Sequence, residues 1–504
     1  MSFYLPVRYT LLPFVLLFCS LSVALPAKAQ DFEEWKREQE QAFQSYVDEQ
    51  NERFAEFLRK NWEDFETEAP EPVPEEAPKP PEAPVAPAPE PSDEPDEPDL
   101  PAPEPQPEPE IEVVPEPAPE PEPRPEETAP PEQSMRWHFY DAPMIPLEKA
   151  QNFSLSELSN DALADAWLEM ARTNFEEIIE AFRDFTQANQ ISEWGYALLI
   201  KDYAREVFSG HNEAVFLSWF LLHNSGFHAN GGYRDGELFL LMPVSETLYE
   251  VSFYTLDSSL PRFYVINAGH SGKTKPGSIR TYTPDEDQAL NVLSMNIARP
   301  PANTVQKEPR LLRFSFDGNE YEIRLSYDRN FVSLLSAFPL MRPEVMFATP
   351  ASNRLHAQLE HQIAPVIEQL PEQRALDFLL RFTQKAFDYQ TDTEQFGHQK
   401  YMTPDQILHY PYSDCDDRAI FFAYMVRNFM NRDVIAVSWP GHLATAVEAS
   451  PDFEGDIITV DGKRYIICDP TYIGADSGIT MPQFLNDPVQ PHPFYDLLSY
   501  SEIE

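Results

Sequence analysis

The 504-residue chain holds only three cysteines. Cys19 falls in a segment that reads as a removable leader, which leaves Cys415 and Cys468 in the mature chain. Two thiols in an exported chain of this length exclude a disulfide scaffold. Long apolar runs are also missing. After Leu25 nothing approaches the roughly 20 residues that a membrane-crossing helix needs, so no span is expected in the mature protein. Basic residues are scarce, 37 Lys and Arg against 84 Asp and Glu. They form no patch, and nucleic acid is not expected as a partner.

Residues 1–29 read as a secretory signal peptide. Arg8 supplies a short basic region, Leu11 to Leu25 a mostly apolar one, and Ala27-Lys28-Ala29 a small-x-small cleavage site. Phe18 before Cys19 is too bulky for a lipoprotein site. The expected location is therefore periplasmic or secreted. Residues 30–66 read as one long helix: Phe32, Phe43, Phe54 and Phe65 recur every 11 residues, and Trp35, Tyr46 and Phe57 follow the same step. That period keeps an aromatic stripe on one side of a helix, which suits self-association, a partner, or packing on the folded body. Residues 67–133 are Pro-Glu-Ala repeat. Glu66 to Glu132 holds 25 of the 51 prolines, with 22 acidic residues against Lys79 and Arg124. Such a segment buries too little to fold and is expected to be a disordered, extended spacer that separates the helix from the body.

The body begins near Trp137. Leu155 to Gln187 reads as helical, Glu193 to Phe208 as a second helix, and 273–345 as a β-rich module whose Asp317-Gly318-Asn319 marks a hairpin. Asn353 to Ile367 and Glu372 to Phe387 are expected helices, the second opening after Pro371.

The stretch Tyr412 to Tyr472 carries the chemistry. Ser413 and Asp414 read as a helix N-cap, and Ala419 to Val426 is apolar all round, as in a buried helix. Cys415 then lies in the first turn, where free N–H groups and the helix dipole favour a thiolate. Asp416 and Asp417 oppose this. Val434 to Trp439 reads as a strand broken by Pro440-Gly441, and His442 opens the next. RYIICD ends at Asp469 before Pro470. If the last two strands pair antiparallel, His442 comes beside Asp469. A nucleophile, a base and a group that orients the base make a cysteine acyl-transfer site.

A Cys helix with the DCDDRA sequence, Gly-His opening a strand and Asp-Pro-Thr closing the next resemble the transglutaminase-like cysteine enzyme superfamily, relatives of papain-type peptidases. The run from Phe382 through Phe484 is similar to secreted bacterial proteins of that kind, and the resemblance spans about Leu355 to Glu504. It implies a catalytic triad of Cys415, His442 and Asp469 and leaves the substrate open. Gln384 lies on the Leu376, Leu380, Phe387 face of its helix, and a polar group there needs a partner. It is a candidate oxyanion donor; the alternative is a satisfied core glutamine. Taken singly, Cys415 also reads as a buried structural thiol, and Asp469 as an Asx turn before Pro470. Cys468 points to the other strand face, which suits core packing. No fourth ligand is spaced for zinc, and Asp414 to Asp417 lack the alternating oxygen ligands of a calcium loop. No metal or other cofactor is expected.

His211 to Asn224 aligns with the Cys415 helix at an offset of 205 (416 − 211). Ala214 falls on Ala419, Phe216 on Phe421, and Gly236-Glu237 on Gly441-His442. The triad positions of this upstream copy read Gly210, Glu237 and Asn267, so it is expected to be chemically dead. The fold expected is α+β: a transglutaminase-like domain at 346–504 with the Cys helix packed on an antiparallel sheet, a degenerate second copy at 134–272, the β-rich module between them, and the N-terminal helix on its linker. The expected activity is acyl transfer on a protein or peptide substrate, by a peptidase or amidase. A protein-crosslinking transglutaminase and a non-catalytic periplasmic scaffold are the alternatives.

Overall fold

The computed structural model describes residues 29–73, 134–150, 153–266, 277–284, 290–304 and 306–493. The leader expected at 1–29, apart from its last residue, lies outside them. So do most of the spacer expected at 67–133 and Asn267. Helices and antiparallel sheets alternate along the chain, and the class is mixed α+β. Among the described residues no helix is long and apolar enough to cross a membrane.

The N-terminal helix α1 (Ala29–Leu58) is shorter than the 30–66 helix expected. The indole N–H of Trp62 donates to the Leu58 carbonyl at its end, and Trp62–Phe65 (β1) then leaves as a strand. The chain continues across the body through single bridges from Glu68 to Phe253 and from Glu71 to Tyr249. The expectation that a spacer from residue 67 separates this helix from the body is therefore overturned. Phe54, Ala55 and Leu58 are buried. The Phe54 ring lies 4.0 Å from His223 and 4.5 Å from Trp167, and Trp167 Nε1 donates to Asn51 Oδ1 at 2.8 Å. Of the aromatic stripe Phe54 is buried, Phe57 and Phe65 are half-buried against the body, and Trp35, Phe43 and Tyr46 are exposed.

A small hairpin, β2 (Ser134–Trp137) and β3 (Tyr140–Pro143), precedes four helices: α2 (Asn160–Met170), α3 (Phe175–Ala188), α4 (Glu193–Val207) and α5 (His211–Asn224). The single helix expected over 155–187 is thus two, the first capped by Ser159. Strands β4 (Asn230–Arg234), β5 (Glu237–Pro243), β6 (Phe253–Tyr254), β7 (Phe263–Val265) and β8 (Ile279–Tyr282) follow. With β1 they make a sheet in the order β1-β8-β4-β5-β7-β6. Since β8 sits between β1 and β4, the boundary expected at 272/273 cuts through this sheet.

The expected hairpin forms as β9 (Lys307–Phe316) and β10 (Asn319–Asp328), with positive φ at Asp317 and Gly318. After α6 (Arg329–Leu335), α7 (Pro343–Ala348), α8 (Asn353–Ile367) and α9 (Glu372–Ala386) it lies against the last two. The Phe314 ring meets Phe378 edge-on at 5.2 Å and Phe382 at a tilt at 5.0 Å, and Gln358 of α8 accepts from the Ser326 N–H. It is a cover on the C-terminal half, not a separate module between two units. That half continues through β11 (Asp388–Tyr389), α10 (Asp392–Gln395), α11 (Pro404–His409), β12 (Tyr412–Ser413) and α12 (Cys415–Met425), which ends in a π turn over Val426–Met430. Strands β13 (Val434–Trp439), β14 (His442–Glu448), β15 (Ile457–Val460), β16 (Lys463–Cys468) and β17 (Gln490–His492) form the second sheet, ordered β15-β16-β14-β13-β17.

The halves share a layout. A buried helix leads into strands ordered β4-β5-β7-β6 in one and β13-β14-β16-β15 in the other, antiparallel throughout. The strands β5 and β14 start 205 residues apart (442 − 237). The register also repeats: Leu241 faces Val265 as Ala446 faces Ile467. Gly236 and Gly441 both turn with positive φ, a conformation glycine adopts without steric cost. One apolar core runs from Phe54 to Cys468, so the halves pack directly on each other.

Candidate active site

Asp414 is the N-cap of α12, and Asp417 accepts from its backbone N–H at 3.2 Å. Cys415, the first helical residue, is 6 % exposed. Its sulfur accepts a hydrogen bond from the Leu443 backbone N–H, one residue beyond His442. Burial pushes the thiol pKa well up; Asp414 adds to this, and the Leu443 bond works against it. Burial and the neighbouring acids thus prevail over the helix terminus, and the resting group is a thiol.

His442 stands at the first position of β14, across from Trp439. Its ring lies near-parallel to those of Trp439, at 6.1 Å, and Phe484, at 5.2 Å, and Phe484 faces Trp439 as well, at 5.2 Å. Its Nε2 lies 2.8 Å from Asp469 Oδ2, with the two side chains 1 % and 3 % exposed. A neutral imidazole whose Nε2 proton is donated to Asp469 keeps its lone pair on Nδ1. The other Asp469 oxygen, Oδ1, accepts from the N–H groups of Thr471 and Tyr472 at 2.9 and 3.2 Å. One carboxylate thus makes the Asx turn and bonds the imidazole.

Gln384 is not an oxyanion donor. Both its amide hydrogens are spent on backbone carbonyls, those of Asp469 (3.1 Å) and Ala475 (3.0 Å), and its oxygen accepts from Gly474 N–H at 3.0 Å. It is a satisfied core glutamine that ties α9 to the loop after Asp469. Cys468 is fully buried in the main core, and both thiols are free.

Sequence reasoning missed a buried charged shell around Cys415. Arg418 is fully buried and donates to Ser413 Oγ (3.1 Å) and to the carbonyls of Gln384 (3.3 Å) and Phe387 (2.7 Å). Burial lowers its pKa to about 10. Asp392, Asp414, Asp416 and Asp417 are buried with it. Burial, then Asp414, pushes the pKa values of Asp416 and Asp417 well up. Two sets, Asp414/Cys415/Asp416 and Asp392/Asp414/Asp417, place their ligand atoms within 4.8 Å of one another. Either set can hold a cation or share protons. Asp392 comes from α10, a separate helix, which is why spacing within 414–417 gave no sign of the second set. An Arg among acids at a helix start reads as a surface ion pair, so Arg418 gave no signal either.

In the upstream half, Gly210 caps α5 and Glu237 opens β5. Among the described residues no thiol is near, but an imidazole is: His211 Nε2 lies 3.5 Å from Glu237 Oε1. Neither a scan of protein-family models nor a search of curated proteins finds a match for the chain.

Proposed function

We propose that the protein is an exported cysteine enzyme of the transglutaminase-like kind, acting by acyl transfer on peptide or carboxamide bonds. The reading is carried by the water-shielded His442–Asp469 pair at 2.8 Å, set beside the strand residue whose N–H meets the Cys415 sulfur. His442 takes the thiol proton, and the sulfur attacks the carbonyl carbon. As the C–N bond breaks, the same imidazole gives the proton to the leaving amine. Asp469 holds the tautomer and offsets the charge on the imidazolium. Water then releases the thioester, making the protein a peptidase or amidase. An amine in place of water would make it a transglutaminase, and no residue described here favours that over hydrolysis.

The raised Cys415 pKa makes His442 essential as a base. In the mature protein, iodoacetamide should label Cys415 at pH 7, and His442→Ala should slow labelling by about 100-fold, the usual size of a general-base contribution. Labelling that rises only above the ordinary thiol pKa and ignores His442 would favour a second reading, a non-catalytic scaffold. One observation points that way: the upstream half repeats the strand order and register while Gly210 and Glu237 replace the nucleophile and base.

A further inference from the structure

The two halves meet around a half-open cavity of about 170 Å³. Its walls come from α4 and the end of β7 on one side and from the 335–341 and 398–401 segments on the other. Leu198, Val265, Phe338 and Met341 make much of the lining apolar. An apolar hole of about 150 Å³ accepts benzene, so this one has room for a phenyl or branched alkyl group.

Lys201 breaks the apolar pattern. It projects from α4 into the lining, and among the described residues its amine makes no hydrogen bond or ion pair. Burial pushes its pKa down; Asp202 opposes this and Arg205 adds to it. A half-buried ammonium with an acid nearby but no hydrogen-bonded partner of its own is incompletely satisfied, and an anionic ligand relieves it. Lys201 also lines a second cavity, of about 230 Å³, with Arg205 and His211 at the start of α5. Arg205 there lies 3.9 Å from Asp202 and His211 lies 3.5 Å from Glu237, so neither offers an unengaged charge beside Lys201. Lys400, also in the lining, is already engaged: Asp417 and Asp392 support its charge against burial, and its amine lies 6.0 and 5.5 Å from the Phe396 and Tyr410 rings. Among the described residues the only acid in the lining of the first cavity is Glu250, which is exposed.

The cavity also borders the Cys415 centre. Gln399, in its lining, donates to Asp416 Oδ2 at 2.7 Å, and Asp416 is the residue after Cys415. The Tyr401 hydroxyl, also in the lining, has its pKa raised by burial and then by Asp416, with Cys415 among the further causes.

We propose that this cavity is a substrate subsite that takes an apolar group bearing a carboxylate, the apolar part lying between the halves and the carboxylate resting on Lys201. Its link to Cys415 rests on the acyl-transfer reading; the binding itself does not.

The test titrates 3-phenylpropionate and its uncharged amide into the full mature chain. The acid should bind about tenfold more tightly than the amide, a margin typical of one charge-assisted contact. Lys201→Met should remove that margin with little change in the thermal midpoint, since among the described residues the amine makes no hydrogen bond or ion pair that the substitution would break. Saturating acid should also slow iodoacetamide labelling of Cys415. Equal binding of the two probes, binding of neither, or an acid preference that survives Lys201→Met overturns the assignment. Binding that leaves Cys415 labelling unchanged overturns its role as a substrate subsite. A Cys415 that never labels defeats the acyl-transfer reading instead, while the titrations still report on the cavity.

Discussion

At the level of single residues, Asp469 separates folding from chemistry. Asp469→Asn keeps an oxygen for the Thr471 and Tyr472 N–H groups but loses the charge opposite His442. We expect Cys415 labelling at pH 7 to fall by about tenfold or more with little change in melting temperature. Asp469→Ala should lower both. Asp414 is the charge that most raises the Cys415 pKa, so Asp414→Asn should move the pH midpoint of labelling downward. An unchanged midpoint would show that burial alone sets it. Gln384→Ala strands two carbonyls and one N–H in the interior, and should cost about 2–4 kcal/mol in urea unfolding. The hydrophobic face of α9 told the sequence reader that Gln384 is buried. Its partners lie 85 and more residues onward, in a loop whose path no local pattern reveals.

Among elements, Asp405 of α11 ties three together. It accepts from the Asp328 N–H at the end of β10 and from the Ser352 N–H and hydroxyl at the start of α8. Burial raises its pKa from 3.8 to about 6, with the Ser352 bonds opposing. The folded state then binds this proton more tightly than the unfolded chain. Its contribution to stability is complete below pH 3.8 and is lost as pH rises through about 6, amounting to about 3 kcal/mol in all. Asp405→Asn should flatten that part of the stability profile, although it also costs an acceptor at every pH; an unchanged slope would place the titration elsewhere. The ends of α12, β14 and β16 were legible because caps, Pro-Gly and Asp-Pro mark them locally. The end of α1 was not, because β1 exists only through its pairing with β8. For the same reason the 273–345 segment looked like a module: nothing near Ile279 announces a partner strand at Trp62.

Over the whole molecule, residues 29–73 are a structural part of the body rather than an appendage. Phe54→Ala should cost about 3–5 kcal/mol, as for other buried phenylalanines. Chains 29–73 and 134–504, expressed as two pieces, should associate and co-purify. Independent elution of the pieces would refute this packing.

The pairing of β1 with β8 joins Trp62 to Tyr282, 220 residues apart (282 − 62). Loop closure over that distance comes late, because its entropy must be met before any contact rewards it. A ribosome making this chain will therefore have released β1 long before β8 exists. For more than two hundred residues of synthesis β1 has no partner strand, and the fold is sealed by one of its oldest parts.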